Sequence, residues 1–225
     1  MIGVDCLLSS LYPAEVKRQR LDTIGTDPNF EHHELDLRYD NFSNLLEEVD
    51  VVVNEAAMPG LTGSWTDFKT YNGCNTVAVE RLLSEMKHFP NIHLVHASTS
   101  SVYGSTALGS EEQQLQPISP YGITKLAAEK LISAYQRSFG LSASILRYFS
   151  VYGPHQRPDM AYSLICEKLI SGETITVYGD GNQSRSNTYI DDVALATVKA
   201  CERQPDGAIL NISGNTEIRL LDAID

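Results

Sequence analysis

Ile92-His93-Leu94-Val95-His96-Ala97-Ser98-Thr99-Ser100-Ser101-Val102-Tyr103-Gly104 runs from an apolar, β-prone segment directly into a cluster of hydroxyls. With a strand over 92–97, those hydroxyls fall at a carboxyl edge, where open α/β sheets receive ligands. A plain strand-to-loop transition has the same composition, so the neighbouring segments must decide. Further apolar runs at 2–4, 33–37, 51–54 and 142–147 alternate with stretches long enough for helices, notably 64–87 and 120–139. This alternation predicts right-handed βαβ units and a parallel sheet covered on both faces. Val51-Val52-Val53 is apolar at every position, as a strand buried on both sides requires.

The helix over 120–139 has strong boundary signals: Ser119 as N-cap, Pro120 at the first helical position and Gly140 just past the end. After Gly153-Pro154 the pattern loosens to a helix near 159–171, a short strand at 175–178, a Gly179-Asp180-Gly181 turn, a helix from about 191 to 203 and a strand at 208–212. The fold class is therefore α/β, a Rossmann-like doubly wound parallel sheet with part of a smaller mixed substrate domain. Residues 1–154 form a partial cofactor domain and 155–225 a partial substrate region, with 188–212 returning to the main sheet. No GxGxxG or GxxGxxG joins a first strand to a first helix, and the opening strand ends in Asp5. In such a fold an acidic residue closes the second strand and holds the adenosine ribose. The pattern thus reads as entering at the second strand, with the first βα unit missing and the far end truncated as well.

The 225 residues carry 17 Lys+Arg against 29 Asp+Glu, a net charge of −12. That balance argues against nucleic acid or an anionic membrane as partner, because no excess of cations exists to displace counterions. A small phosphorylated ligand needs only a few local donors and stays open. Cys6, Cys74, Cys166 and Cys201 are too scattered for a metal site or a redox CxxC, which points to a reducing cytoplasm and to no metal. No apolar run approaches the roughly 20 residues that span a bilayer.

Tyr121-x-x-x-Lys125 lies in the 120–139 helix, so both side chains share one face a turn apart. A free phenol has a pKa of about 10, too high for a base at neutral pH, and a neighbouring ammonium is expected to lower it. With the hydroxyl cluster and the Arg147-Tyr148-Phe149-Ser150-Val151-Tyr152-Gly153-Pro154 run, three segments converge on one sheet edge.

Those residues resemble an extended short-chain dehydrogenase/reductase, in the NAD-dependent nucleotide-sugar epimerase/dehydratase group. The likeness runs through Gly3-Val4-Asp5, Glu34-Leu35-Asp36-Leu37, Ala56-Ala57, Ser98 to Gly104, Pro120-Tyr121-Gly122-x-x-Lys125, Val151 to Pro154, Tyr178 to Gly181 and Tyr189-Ile190-Asp191-Asp192-Val193. The run Arg157-Pro158-Asp159-Met160-Ala161 most resembles UDP-glucuronate and UDP-glucose 4-epimerases. The resemblance implies that Asp5 binds the adenosine ribose, that Asp36 and Leu37 contact the adenine, and that Ala56, Ala57 and Ser98 line the NAD path with Asn75 beneath it. It implies Tyr121 as catalytic base, Lys125 on the nicotinamide ribose, Thr99 on the reacting sugar oxygen and Tyr148 near the nicotinamide. Tyr178 would pack on the uracil, Arg185 would pair with the diphosphate, and Ser100, Ser101, Ser150 and Arg157 complete the substrate set.

Two departures bear on the reaction. Ser101 stands where dehydratases and UDP-glucuronate decarboxylases of this group carry Glu, and Ser is a poor proton donor for water elimination. Ser150 stands where galactose-type epimerases carry Asn and glucuronate epimerases Thr; with Thr99, Ser100 and Ser101 it can donate to a C5 carboxylate. The expected activity is NAD-dependent 4-epimerisation of a UDP-sugar, UDP-glucuronate or UDP-glucose/galactose, through a 4-keto intermediate. A decarboxylase or dehydratase of the same group, and a non-catalytic binding module or inert fragment, stand as alternatives. The resemblance also implies a homodimer through the helices near 64–87 and 120–139.

Overall fold

The computed structural model describes residues 1–105, 110–177, 179–214 and 216–224. Its centre is a four-stranded parallel sheet in the order β3 (Val51–Asn54), β4 (His93–Thr99), β5 (Ser142–Tyr148), β8 (Ile209–Ile212). Every residue of β4 is buried, as a central strand with helices on both faces demands. On one face, α3 (Ala78–Met86) and α4 (Pro120–Phe139) bring Val79, Leu82, Leu83, Met86, Ala128 and Ile132 against Leu94, Ala143 and Ile145. On the other, Ala200 of α6 (Ile190–Arg203) packs with Val95 and Leu146.

Two smaller sheets flank this body. β1 (Ile2–Val4) and β2 (Glu31–His33), joined through α1 (Ala14–Ile24), pair in parallel. Past β5 the chain forms β6 (Ser150–Tyr152), then α5 (Ala161–Ser171) and β7 (Ser184–Tyr189), which pairs with β6 and with the antiparallel β9 (Glu217–Arg219) ahead of the short α7 (Leu220–Ile224). Between these, α6 leads back to β8 beside β5.

The α4 boundaries follow from their signals. Ser119 Oγ accepts the Gly122 amide at 3.1 Å, Pro120 opens the helix, and Gly140 closes it at φ 70°. Three expectations need correction. The strand expected at 33–37 is β2, Glu31–His33, because Asp36 turns the chain: its carboxylate accepts the Arg38 amide at 2.9 Å while Asp40 accepts the Asp36 amide at 2.7 Å. The helix expected over 64–87 is broken into a short turn at Gly63–Trp65, α2 (Phe68–Asn72) newly capped by Asp67, a π-turn at Gly73–Val77, and α3. Residues 175–177 of the expected 175–178 strand are irregular. Lys168 at the end of α5 reaches the Thr174 carbonyl at 3.2 Å and folds this stretch back on its helix.

The sheet and α4 are joined by a dry polar network. Arg147 forks onto Glu129 (Nε–Oε1 3.0 Å, Nη2–Oε2 2.7 Å), with side chains only 2% and 3% exposed. Ser98 Oγ donates to the same carboxylate, and Arg147 Nη1 donates to the Tyr103 hydroxyl, which bonds Asn211 of β8. Removing one partner of a buried pair strands the other charge. Glu129→Ala is therefore expected to cost about 3–5 kcal/mol in urea denaturation, against about 0.5 or less for the exposed neighbour Lys130→Ala.

Candidate active site

Tyr121, Lys125 and Glu129 recur at every fourth position of α4 and face the carboxyl half of β4. Gly122 sets how close the helix comes: a Cβ there would sit 2.7 Å from the Ser101 carbonyl oxygen. Gly104, at φ +91° with a Cβ position 2.2 Å from the Gln116 carbonyl oxygen, turns the loop away after the hydroxyl cluster. Held this way, Thr99 accepts the Ser101 amide at 3.1 Å and donates to the Ser101 hydroxyl at 3.2 Å, and it faces the Tyr121 phenol closely enough to favour the phenolate. The Lys125 ammonium donates to the Ala97 carbonyl at 2.6 Å.

Burial governs the electrostatics. It pushes the Tyr121 phenol above its ordinary value, with the Thr99 hydroxyl and then the Arg157 charge pulling the other way. It pushes Lys125 down to about 8, opposed by Glu55 and then Glu129. The expectation that Lys125 acidifies Tyr121 is thus corrected: the ammonium is engaged with Ala97, and the cation acting on the phenol is Arg157. That guanidinium forks onto Asp159 at 2.9 and 2.8 Å. The Tyr71 ring stands edge-on to Tyr121, centroids 6.4 Å apart, with its hydroxyl on the Pro59 carbonyl at 2.9 Å.

Beside this group lies a cavity of about 420 Å³ between the β1–β2 pair and β3, lined among others by Asp5, Asp36, Leu37, Ala56, Ala57 and Arg157. The structure brings these six together as one wall system. Asp5 takes the Leu7 amide (2.6 Å) and Lys17 (3.4 Å) on Oδ1 alone, leaving Oδ2 without a bond among the described residues. Asp36 has both oxygens engaged by Arg38, which hold its carboxyl below the ordinary range.

Other expected contacts lie elsewhere. Ser98 donates its hydroxyl to Glu129 at 2.5 Å and so joins the network under the site. Asn75 is fully buried and spends its amide on the Met58 amide (2.7 Å), the Met58 carbonyl (3.0 Å) and Thr124 (3.0 Å), tying the Ala56–Ala57 loop to α4. Tyr148 packs on the α6 side of the sheet, its hydroxyl 2.7 Å from Glu55 Oε1 and 2.7 Å from Thr197. Ser100 and Ser101 sit half-buried in the turn after β4, and Ser150 opens β6 opposite Asn187. Arg185 is exposed on β7 and bonds the neighbouring Ser184 carbonyl at 2.9 Å. Tyr178 lies outside the described residues. Among the described residues no cluster of His, Cys, Asp or Glu could hold a metal ion, and no helix is long and apolar enough to cross a membrane.

The sequence model of the NAD dependent epimerase/dehydratase family matches residues 4–213. The chain belongs to that family. Relatives of this family member include the uncharacterized UDP-glucose epimerase YtcB of Bacillus subtilis, 38% identical over 100% of this chain and 72% of the relative. A UDP-glucuronate 4-epimerase of Thermodesulfobacterium geofontis is 34% identical over 95% of this chain and 67% of its own length. Among solved structures, UDP-glucuronic acid 4-epimerase from Bacillus cereus, in complex with UDP-glucuronic acid and NAD, superposes with TM-score 0.94 at 38% identity, covering 98% of this chain and 71% of that one.

Tyr71, Glu129 and Glu55 were not singled out in the sequence. Glu129 carried a signal, a second step of four from Lys125, and Glu55 another, a charge ending an apolar strand at the ligand edge. The lysine yields a prediction. Between about pH 8 and its ordinary 10.5, the unfolded chain binds the Lys125 proton and the folded chain does not, so folding is favoured increasingly as pH rises. Urea titrations of wild type against Lys125→Met should show wild type gaining about 1–3 kcal/mol on the variant from pH 7.5 to 10.

Proposed function

We propose that this chain carries out NAD-dependent 4-epimerisation of a UDP-sugar. The observation that carries the reading is the facing Thr99 and Tyr121 at the carboxyl edge of β4, with Lys125 buried one helical turn behind and Arg157 acting on the phenol. Likeness to a UDP-glucuronate 4-epimerase, and to one solved in complex with UDP-glucuronic acid and NAD, supports the same reading. The residues fit NAD at both ends: Asp5 Oδ2 suits a ribose diol, Leu37, Ala56 and Ala57 give an apolar wall, and Lys125 supplies a donor near Tyr121. NAD, when bound, supplies reversible hydride acceptance at C4 of the sugar.

The chain's own part is proton handling and placement. Tyr121 holds the C4 hydroxyl and takes its proton; Thr99 donates to the same oxygen and keeps the reacting centre within bonding distance. Because burial raises the phenol, it needs a cation nearby to act as base near neutral pH, and Arg157 is the residue that supplies one. Arg157 and Arg185 are the candidate diphosphate ligands. Thr99, Ser100, Ser101 and Ser150 form a hydroxyl-rich surface suited to a C5 carboxylate, which favours UDP-glucuronate over UDP-glucose/galactose. Ser101 in place of a proton-donating Glu disfavours elimination and decarboxylation. We assign the cofactor half to 1–154 with the returning 188–212, the substrate half to the rest of 155–225, and the compartment to a reducing cytoplasm, consistent with four free thiols.

Tyr121→Phe is expected to leave circular dichroism and urea stability near wild type and to reduce epimerisation by about 10³-fold or more, followed by a coupled assay offering both UDP-sugars. Turnover near the wild-type rate removes Tyr121 from the chemistry; a preference for UDP-glucose reverses the substrate assignment.

A homodimer through the faces of α2–α3 and α4 is the assembly we assign. Trp65, Phe68, Val77 and Ile123, on or beside those helices, are 68%, 50%, 43% and 52% exposed, more apolar surface than a solvated helix pair needs. Val77→Glu with Ile123→Glu should convert the dimer to monomer in analytical ultracentrifugation. An unchanged sedimentation coefficient moves the interface elsewhere.

A further inference from the structure

We infer that Glu55 is a positioning residue for Lys125: its carboxylate, held just past the end of β3 next to the strand whose Ala97 carbonyl receives the lysine, keeps Lys125 charged where it is to hold a ribose of the dinucleotide. The inference rests on the NAD reading above. Three observations carry it. The β3–β4 register pairs Asn54 with His96, so the next residue, Glu55, falls alongside Ala97, whose carbonyl receives the Lys125 ammonium at 2.6 Å. The carboxylate is fixed there, because the Tyr148 hydroxyl donates to Oε1 at 2.7 Å and is itself braced at 2.7 Å by Thr197 of α6. Glu55 also lines the same cavity as Asp5, Ala56 and Ala57, so it stands on the path assigned to the cofactor.

The other ionisable groups around Lys125 leave Glu55 as the effective counter-ion. From α4, Glu129 has its charge matched by the bidentate Arg147 of β5, and Tyr121 is a phenol that burial keeps protonated. From β4, His96 is buried and neutral, its pKa held well below the ordinary value. From β5, Tyr148 is held protonated by burial and by Glu55 itself. Around Glu55 stand Tyr148, Thr197, Lys125 and, across on α6, Cys201. Among the described residues no salt bridge engages Glu55; burial pushes its carboxyl up, the Tyr148 hydrogen bond and then the Lys125 charge pull it back down, and it is in turn the group that most favours the charged lysine.

The test follows the lysine directly. Protein labelled at the lysine Cε carbon is titrated by NMR, with Lys125 assigned by comparison with Lys125→Arg, and NAD binding is followed calorimetrically over the same pH range. Glu55→Gln keeps the shape and the Tyr148 hydrogen bond while removing the charge. Lys125 is expected to titrate about one pH unit or more below its wild-type midpoint. NAD affinity at pH 8 should fall about fivefold, the loss of charged lysine that a one-unit shift produces. Glu55→Asp, which restores the charge, should recover most of both. An unchanged Lys125 midpoint in Glu55→Gln overturns the inference. Should that variant fail to fold, Tyr148→Phe, which frees the carboxylate, should lower the midpoint by a smaller amount, and no change there overturns the inference equally. A shifted midpoint in a chain that binds no NAD at any pH upholds the Glu55–Lys125 coupling and removes the NAD reading instead.

Discussion

Glu129 must find a cation, because a carboxylate 3% exposed cannot remain charged in a dry interior alone. Arg147 supplies that cation from β5, Ser98 adds a donor from β4, and Tyr103 receives the remaining guanidinium nitrogen from the turn beyond. Three segments are thereby fixed around one acid on α4. The helix face carrying it also carries Lys125 and Tyr121, so satisfying Glu129 aims the other two at the end of β4. A well-packed apolar residue could have joined helix to sheet at least as firmly. What the ionic arrangement adds is direction: a planar fork accepts its carboxylate in one orientation, and the rotation of α4 about its axis is settled with it.

Desolvation and nearby charge compete throughout this region, and desolvation is the larger influence on Tyr121 and Lys125 alike. It moves the phenol up and the amine down, both toward their uncharged forms. Charges brought close then act on groups already displaced from their solution values, in surroundings where water screens them poorly. This explains why Arg157, which belongs to the connection from β6 to α5, acts on a tyrosine anchored in the main body.

Much of this architecture was legible in the sequence, and the failures share a cause. The α4 helix could be read to the residue because its cap, proline and terminal glycine all act locally. The parallel sheet followed from short apolar runs whose spacing reflects burial alone. The helix over 64–87 was misread as continuous because the signal that widens it at Gly73–Val77 lies elsewhere: Asn75 is drawn to the backbone of Met58, seventeen positions away. Strand β2 was misplaced because Asp36 caps the following turn instead of continuing the ladder. The Tyr121–Lys125 pair was found by its spacing, yet the sign of the phenol's shift was not, since spacing reports proximity and not burial. Ser98 looked like a member of an exposed hydroxyl cluster, and only the packing of α4 shows that it faces inward.

The contact between Gly122 and Ser101 has a further implication. It is set by the absence of a methyl group, not by attraction between side chains, and so works as a steric gauge between two stretches of main chain. The separation of phenol and threonine hydroxyl is accordingly inherited from the backbone. Side chains lining the surrounding loops can then be exchanged while Thr99 and Tyr121 stay in register, which lets one scaffold vary its surroundings without disturbing that pair.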